Sequence, residues 1–209
     1  MNIAKHEIEL ILEMDNISEY LKNSDILDYE NEFIMHIGDS LSAGILDEVE
    51  IVKRVYEYVR DEIPHSFDIS GQIVTSKASE VLIQRQGICY AKSHLLVAIL
   101  RYLEIPAGFC YQKLILNDAE TPRRLVLHAL CAVYLKDIKK WIRIDARGNN
   151  PCVNAQFCIE GEKLAFPIRE ELGETDGLII YANPNKRTVE SLKKSKIISE
   201  LIQNLPSEL

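Results

Sequence analysis

From Cys89 onward, apolar residues recur three and four positions apart. Leu95, Leu96, Ile99, Leu100 and Leu103 form one stripe at the period of an α-helix. The pattern predicts a helix that opens just after the Gly87 break and is stopped by Ile105-Pro106. Lys92, Arg101 and Glu104 fall off the stripe and are expected to reach solvent. Asp47 to Ile63 repeats the pattern, with Asp47 placed to cap the helix and Pro64 to end it. Two flanking stretches carry the same period: Ile3 to Tyr20, through Ile8, Ile11, Leu12 and Ile17, and Thr188 to Leu205, through Ile197, Ile198, Leu201 and Ile202. A short helix is expected over Ser79 to Gln86.

Between these helices the period changes. Arg124 to Tyr134 is apolar on both faces and Lys140 to Ala146 alternates, which predicts two strands joined by a turn at Lys136 to Lys139. A loop of that length sets Asp145 opposite His128 or on the adjacent diagonal, so both side chains share one face. Ala107 to Leu116 reads as a further strand leaving the Cys89 helix, and Asn117 to Arg123 as a loop at the rim of a cleft.

This order places a thiol at a helix N-terminus and an imidazole and a carboxylate on neighbouring strands. The unpaired N–H groups and positive dipole end of a helix favour thiolate and offer donors to an oxyanion. A base to take the thiol proton and a carboxylate to fix the imidazole tautomer complete the requirements of nucleophilic catalysis. Taken singly, Cys89 reads as a small buried hydrophobe, His128 as a core histidine and Asp145 as a turn former or partner of Arg147. Together they point to chemistry. His94 reads as a packed polar residue, and His65 as a loop histidine that could also line the cleft. The Cys89 amide is expected to give one oxyanion donor and the Gln72 side chain the second, in preference to Gln84.

Gly87-x-Cys89 with Ala91, Leu95-Leu96, Ala98, Leu100-Arg101, Leu103 and Ile105-Pro106-Ala107, then His128-Ala129 and Trp141-x-x-x-Asp145, resembles the bacterial transglutaminase-like superfamily. The resemblance spans residues 50–150 in round numbers. It implies an α+β, papain-like core in which a catalytic helix packs on an antiparallel sheet, with Cys89, His128 and Asp145 as the triad. Flanking helical extensions over 1–46 and 186–209 would complete a single domain of 1–209. Two departures, Leu130 after His128-Ala129 and Ala146-Arg147-Gly148-Asn149 after Asp145, reshape the walls of the site, so no substrate carries over.

Composition narrows the setting. The 209 residues are 47% hydrophobic, enough for one substantial core. No apolar run reaches a membrane-spanning length, and the start of the chain lacks a signal-peptide pattern, so a cytoplasmic location is expected. The five cysteines show no C-x-x-C pair and no even framework, which suits a reducing compartment. A formal net charge of −8 argues against nucleic acid or an anionic membrane as partner. No cofactor and no metal site is expected, since Cys152 and Cys158 are too widely spaced for a structural zinc pair.

The expectation is therefore a thiol acyl-transfer enzyme that attacks an amide or peptide bond of a peptide, protein or small amide and passes through a thioester. Water would then give a peptidase or amidase, and an amine a transglutaminase or acyltransferase. A catalytically silent peptide- or protein-binding module on the same fold is the alternative, and a zinc-binding structural protein a third.

Overall fold

The computed structural model describes residues 9–209. Its axis is α4, Cys89–Tyr102, whose residues from Tyr90 to Arg101 are all buried. Around it pack α1 (Glu32–Ser42), α2 (Glu48–Glu62) and α3 (Ala78–Gln84), while β2 (Ala107–Ile115) and β3 (Leu125–Leu135) close the remaining side. A helix enclosed on every side has no solvent face, so the apolar stripe understates its burial. Lys92 and Arg101, expected at the surface, are 1% and 2% exposed. Their charges are met by backbone carbonyls instead of water: Lys92 Nζ donates to Arg60 O and Ile63 O, at the C-terminal end of α2. Arg101 donates to the carbonyls of Lys22, Ala107 and Ala182. Burial lowers the Lys92 pKa to about 7, with the nearby Arg147 acting in the same direction.

Asp47 caps α2 through the Val49 amide, as the sequence predicts. The sheet runs β4-β3-β2-β5, with β4 at Lys140–Ile144 and β5 at Thr175–Asp176. β3 and β4 are antiparallel, with Cys131 opposite Ile144 and Val133 opposite Ile142. Side chains alternate across the sheet: Leu127, Ala129, Cys131 and Val133 pack in the core around α4, whereas Leu130 and Ala132 join Tyr20, Cys110 and Ile180 in a second apolar cluster.

Two terminal expectations change. Residues 3–8 of the first predicted helix lie outside the described residues, and residues 9–20 form no α-helix. Ile11–Leu12 (β1) instead pairs in parallel with Ile179–Ile180 (β6), and Asn16 caps a 3₁₀ turn over Ile17–Leu21. Parallel pairing with Ile179–Ile180 overrides the helical spacing although it leaves Ile11 56% exposed, while the Asn16 side chain takes the Ser18 amide. The C-terminal helix is two: α5 (Lys186–Lys194) and α6 (Ile198–Gln203), separated where Ile197 bridges to Ile73.

β2 and β6 approach closely at Gly108, where an added Cβ would lie 2.7 Å from the Tyr181 carbonyl oxygen and 2.8 Å from Ile180 Cγ2. Backbone cannot yield as a side-chain tip can. Gly108→Ala is expected to lower stability by about 1–3 kcal/mol, read as a fall in the urea midpoint; an unchanged midpoint would contradict this packing.

Candidate functional site

Cys89 is the first residue of α4, and the chain entering the helix is pinned from upstream. His65 and Gly87 form a parallel bridge, with Ser66 N–H donating to Gly87 O at 3.1 Å and Gly87 N–H to Pro64 O at 3.4 Å. Thr75 Oγ1 donates to Gln86 O at 3.0 Å. Ile88 caps the helix without a side-chain hydrogen bond, so the Cys89 amide is among the donors that the helix itself leaves unpaired. That amide lies 3.1 Å from His65 Nε2.

His128 Nε2 lies 2.8 Å from Asp145 Oδ2. Continuing the β3–β4 register places them on one face and on a diagonal, which is one of the two arrangements that the loop length predicts. The Asp145 carboxylate is 1% exposed. It also accepts from Arg147 N–H at 3.0 Å and from Ala165 N–H at 3.1 Å. Burial pushes its pKa up, but the charge of His128, its hydrogen bond and the two amides outweigh that and leave it lowered. For His128 burial acts downward, and Asp145 and Cys89 overcome it to raise the pKa to about 10. The Cys89 thiol and the His128 ring line one cleft, and the ring nitrogen not bonded to Asp145 is Nδ1. The Phe166 ring packs edge-on to the imidazole, with centroids 5.1 Å apart.

A cleft of about 450 Å³ opens over Cys89 and His128. Phe67, Leu114, Val126, Phe166 and Leu205 give it apolar walls, and Asp118, Arg169 and Glu174 lie along it. Asp118, in the loop expected at the rim, pairs with Arg169, which also binds Glu174. Among the described residues no cluster of His, Cys, Asp or Glu could hold a metal ion.

Cys89, His128 and Asp145 thus come together, and Gln72 does not join them. Gln72 is exposed, and its amide donates to Ser70 O at 3.1 Å. The ring beside the Cys89 amide belongs to His65, which is 4% exposed; its place two residues into the Ile63-Pro64-His65 turn was the only sequence signal. The Ala165 amide and the Phe166 ring carried none, because they come from an irregular segment more than 75 residues after the thiol. His94 is buried, with Nδ1 2.7 Å from Ser76 O.

The His128–Asp145 pair ties stability to pH in a stated direction. The raised pKa of His128 contributes stability that is fully present below about 6.5 and is lost as pH rises through about 10. The lowered pKa of Asp145 contributes stability that is present above about 3.9 and is lost as pH falls through the lowered value. Stability should therefore decline from pH 7 to 10, and Asp145→Asn should flatten that decline. Urea unfolding across this range checks it, and an equal slope in both proteins would contradict the coupling.

A model of the transglutaminase-like superfamily matches residues 36–146. The fold resembles a crystal structure from Cytophaga hutchinsonii described as a candidate cysteine protease. That match has a TM-score of 0.51 and 21% identity, and covers 65% of this chain and 43% of the other. A weaker likeness, with a TM-score of 0.47 and 14% identity, is to the periplasmic domain of TgpA from Pseudomonas aeruginosa bound to ethylmercury, covering 62% of this chain and 48% of that one. The chain thus spans less than half the length of either structure. No curated protein matches it. With more than half of its residues inside the family match, the chain belongs to the transglutaminase-like superfamily.

Proposed function

We propose that this protein is a thiol acyl-transfer enzyme in which Cys89 is the nucleophile, His128 the base and Asp145 the residue that orients the imidazole. The observation that carries this reading is the His128 ring, hydrogen-bonded through Nε2 to a buried carboxylate and lining one cleft with Cys89 at the start of α4. In the reaction, Cys89 sulfur bonds to an amide or related acyl carbon while His128 holds the thiol proton. Collapse of the tetrahedral adduct breaks the carbon–nitrogen bond, and the proton passes from His128 to the departing amine. The thioester is then cleaved by water or by a second amine, each delivered with loss of a proton to His128. The candidate cysteine protease among the similar structures supports the hydrolytic outcome. The apolar walls of the cleft fit an acyl group with an apolar side chain, from a peptide, protein or small amide.

Labelling with iodoacetamide at pH 6, followed by intact mass and peptide mapping, tests the nucleophile. Cys110 and Cys131 are buried, and burial raises both pKa values, that of Cys131 to about 12, so neither should react. Cys152, exposed along the same cleft, is the internal comparison. Cys89 is expected to be modified well ahead of it, because it stands at a helix N-terminus in the cleft that His128 lines, a setting that activates a thiol nucleophile. Equal labelling of Cys89 and Cys152, or labelling that begins only near pH 8, would favour a silent binding module on the same fold.

Acylation by p-nitrophenyl acetate separates the three roles. Cys89→Ala should abolish it and His128→Ala should nearly do so, while Asp145→Asn should slow it by about 10²- to 10⁴-fold. The His128→Ala/Asp145→Asn double variant should be hardly slower than His128→Ala alone. Losses that multiply would show that Asp145 acts independently of the imidazole.

A further inference from the structure

β3 carries the candidate base, yet its two edges are not held alike there. On one edge the ladder with β2 runs as far as Leu125 and sets His128 opposite Gln112. On the other, the ladder with β4 ends at Cys131 opposite Ile144. Arg124 O faces β2, since it accepts from Leu116 N–H at 2.9 Å just beyond that strand. Backbone groups alternate in direction along a strand, so Leu127, three positions on and next to His128, turns its N–H and C=O to the edge that β4 leaves open. Leu127 is 5% exposed, and backbone groups that far from water need partners.

Two partners come from elsewhere in the chain. Pro206 O takes the Leu127 N–H at 2.8 Å, and the Tyr90 hydroxyl donates to Leu127 O at 2.6 Å. The second bond joins the two halves of the site, because Tyr90 follows Cys89 in α4 and Leu127 precedes His128 in β3. Tyr90 is 1% exposed and lines the cleft. Burial, with the charges of Cys89 and Tyr111 acting in the same direction, holds its phenol pKa well above the ordinary value, so the hydroxyl keeps its proton and stays a donor. Apolar packing between α4 and β3 is non-directional. A short directed bond, in contrast, fixes the spacing of helix and strand at the point where the thiol and the imidazole face one cleft.

We infer that Tyr90 is a positioning residue: by binding the carbonyl beside His128, its hydroxyl sets the distance between the Cys89 sulfur and the imidazole. This rests on the roles proposed above for Cys89 and His128, and it adds no redox or covalent step. A misplacement of about 1 Å can cost about 100-fold in rate. The bonds of β3 to β2 and to Pro206 remain when the hydroxyl is removed, so the imidazole moves less than that and a loss of about 10-fold is expected.

A double-variant cycle separates positioning from simple maintenance of the fold. The rate of Cys89 alkylation by iodoacetamide at pH 7, read by intact mass and peptide mapping, is compared in the unaltered chain, Tyr90→Phe, His128→Ala and the double variant, each shown by thermal unfolding to be folded at the assay temperature. Tyr90→Phe keeps the ring and removes only the oxygen. With His128 present, it is expected to slow alkylation by about 10-fold. In the His128→Ala background the same change should alter the rate by less than about twofold, because no imidazole remains to be positioned. Equal slowing in both backgrounds would overturn the proposal by showing that Tyr90 only maintains the surroundings of the thiol. An unchanged rate with His128 present would overturn it too. Should Tyr90→Phe not fold, Tyr90→Met, whose flexible apolar side chain fills the space without a hydroxyl, takes its place in the same cycle with the same expectations. If His128→Ala alone leaves the rate unchanged, the assignment of the base itself fails and this inference falls with it, an outcome distinct from the other two.

Discussion

A carboxylate removed from water must have its charge answered, and around Asp145 that requirement organises the structure. The side chain is 1% exposed and is met by the His128 ring and by the amides of Arg147 and Ala165. Leaving a buried charge without these partners would cost several kcal/mol. The constraint therefore fixes three separate pieces of chain: the β3 strand that carries His128, the turn after β4, and the irregular segment that brings Ala165 and Phe166 over the imidazole. Because Phe166 follows Ala165 directly, the amide that satisfies Asp145 also sets the ring that walls the cleft.

The opposite side of the site is set by burial of a helix. With α4 enclosed by three helices and the sheet, its first residue has little freedom, and Cys89 is held where the cleft opens. Enclosure carries two basic residues into the interior, and each finds backbone carbonyls at the end of a neighbouring segment. Lys92 thereby fastens α4 to the end of α2 and lies among the cations that keep His65 neutral. Arg147 adds to that field while its guanidinium is bound by Asp68, so the residue that follows Asp145 by two positions links both histidine environments. Burial together with nearby positive charge lowers His65, while negative charge overcomes burial to raise His128, so two imidazoles lining one cleft are pushed in opposite directions, the pattern that separates roles in acid–base sites.

Much of this was legible in the sequence because it rests on local rules. The Gly87 break, the period of the α4 stripe, the Asp47 cap and the four-residue turn between β3 and β4 all act over a few residues, and the turn length carries the His128–Asp145 pairing with it. What failed depends on distant chain. Ile11 and Leu12 have helical spacing, yet pair with Ile179 and Ile180, partners more than 160 residues away. Lys92 and Arg101 look like a solvated face until α2 and the 182 region supply carbonyls. Gln72 and His65 both sit in upstream turns, and no spacing distinguishes the amide that bonds to Ser70 from the ring that reaches the Cys89 amide; the bridge to Gly87 makes that choice.

The central claim is that Asp145 holds His128 as a cation beside Cys89, and ¹⁵N resonances of the His128 ring at pH 8 report on it directly. The account predicts that both ring nitrogens are protonated in the unaltered chain and that Asp145→Asn returns the ring to a neutral form at the same pH. A neutral His128 in the unaltered chain at pH 8 would contradict it.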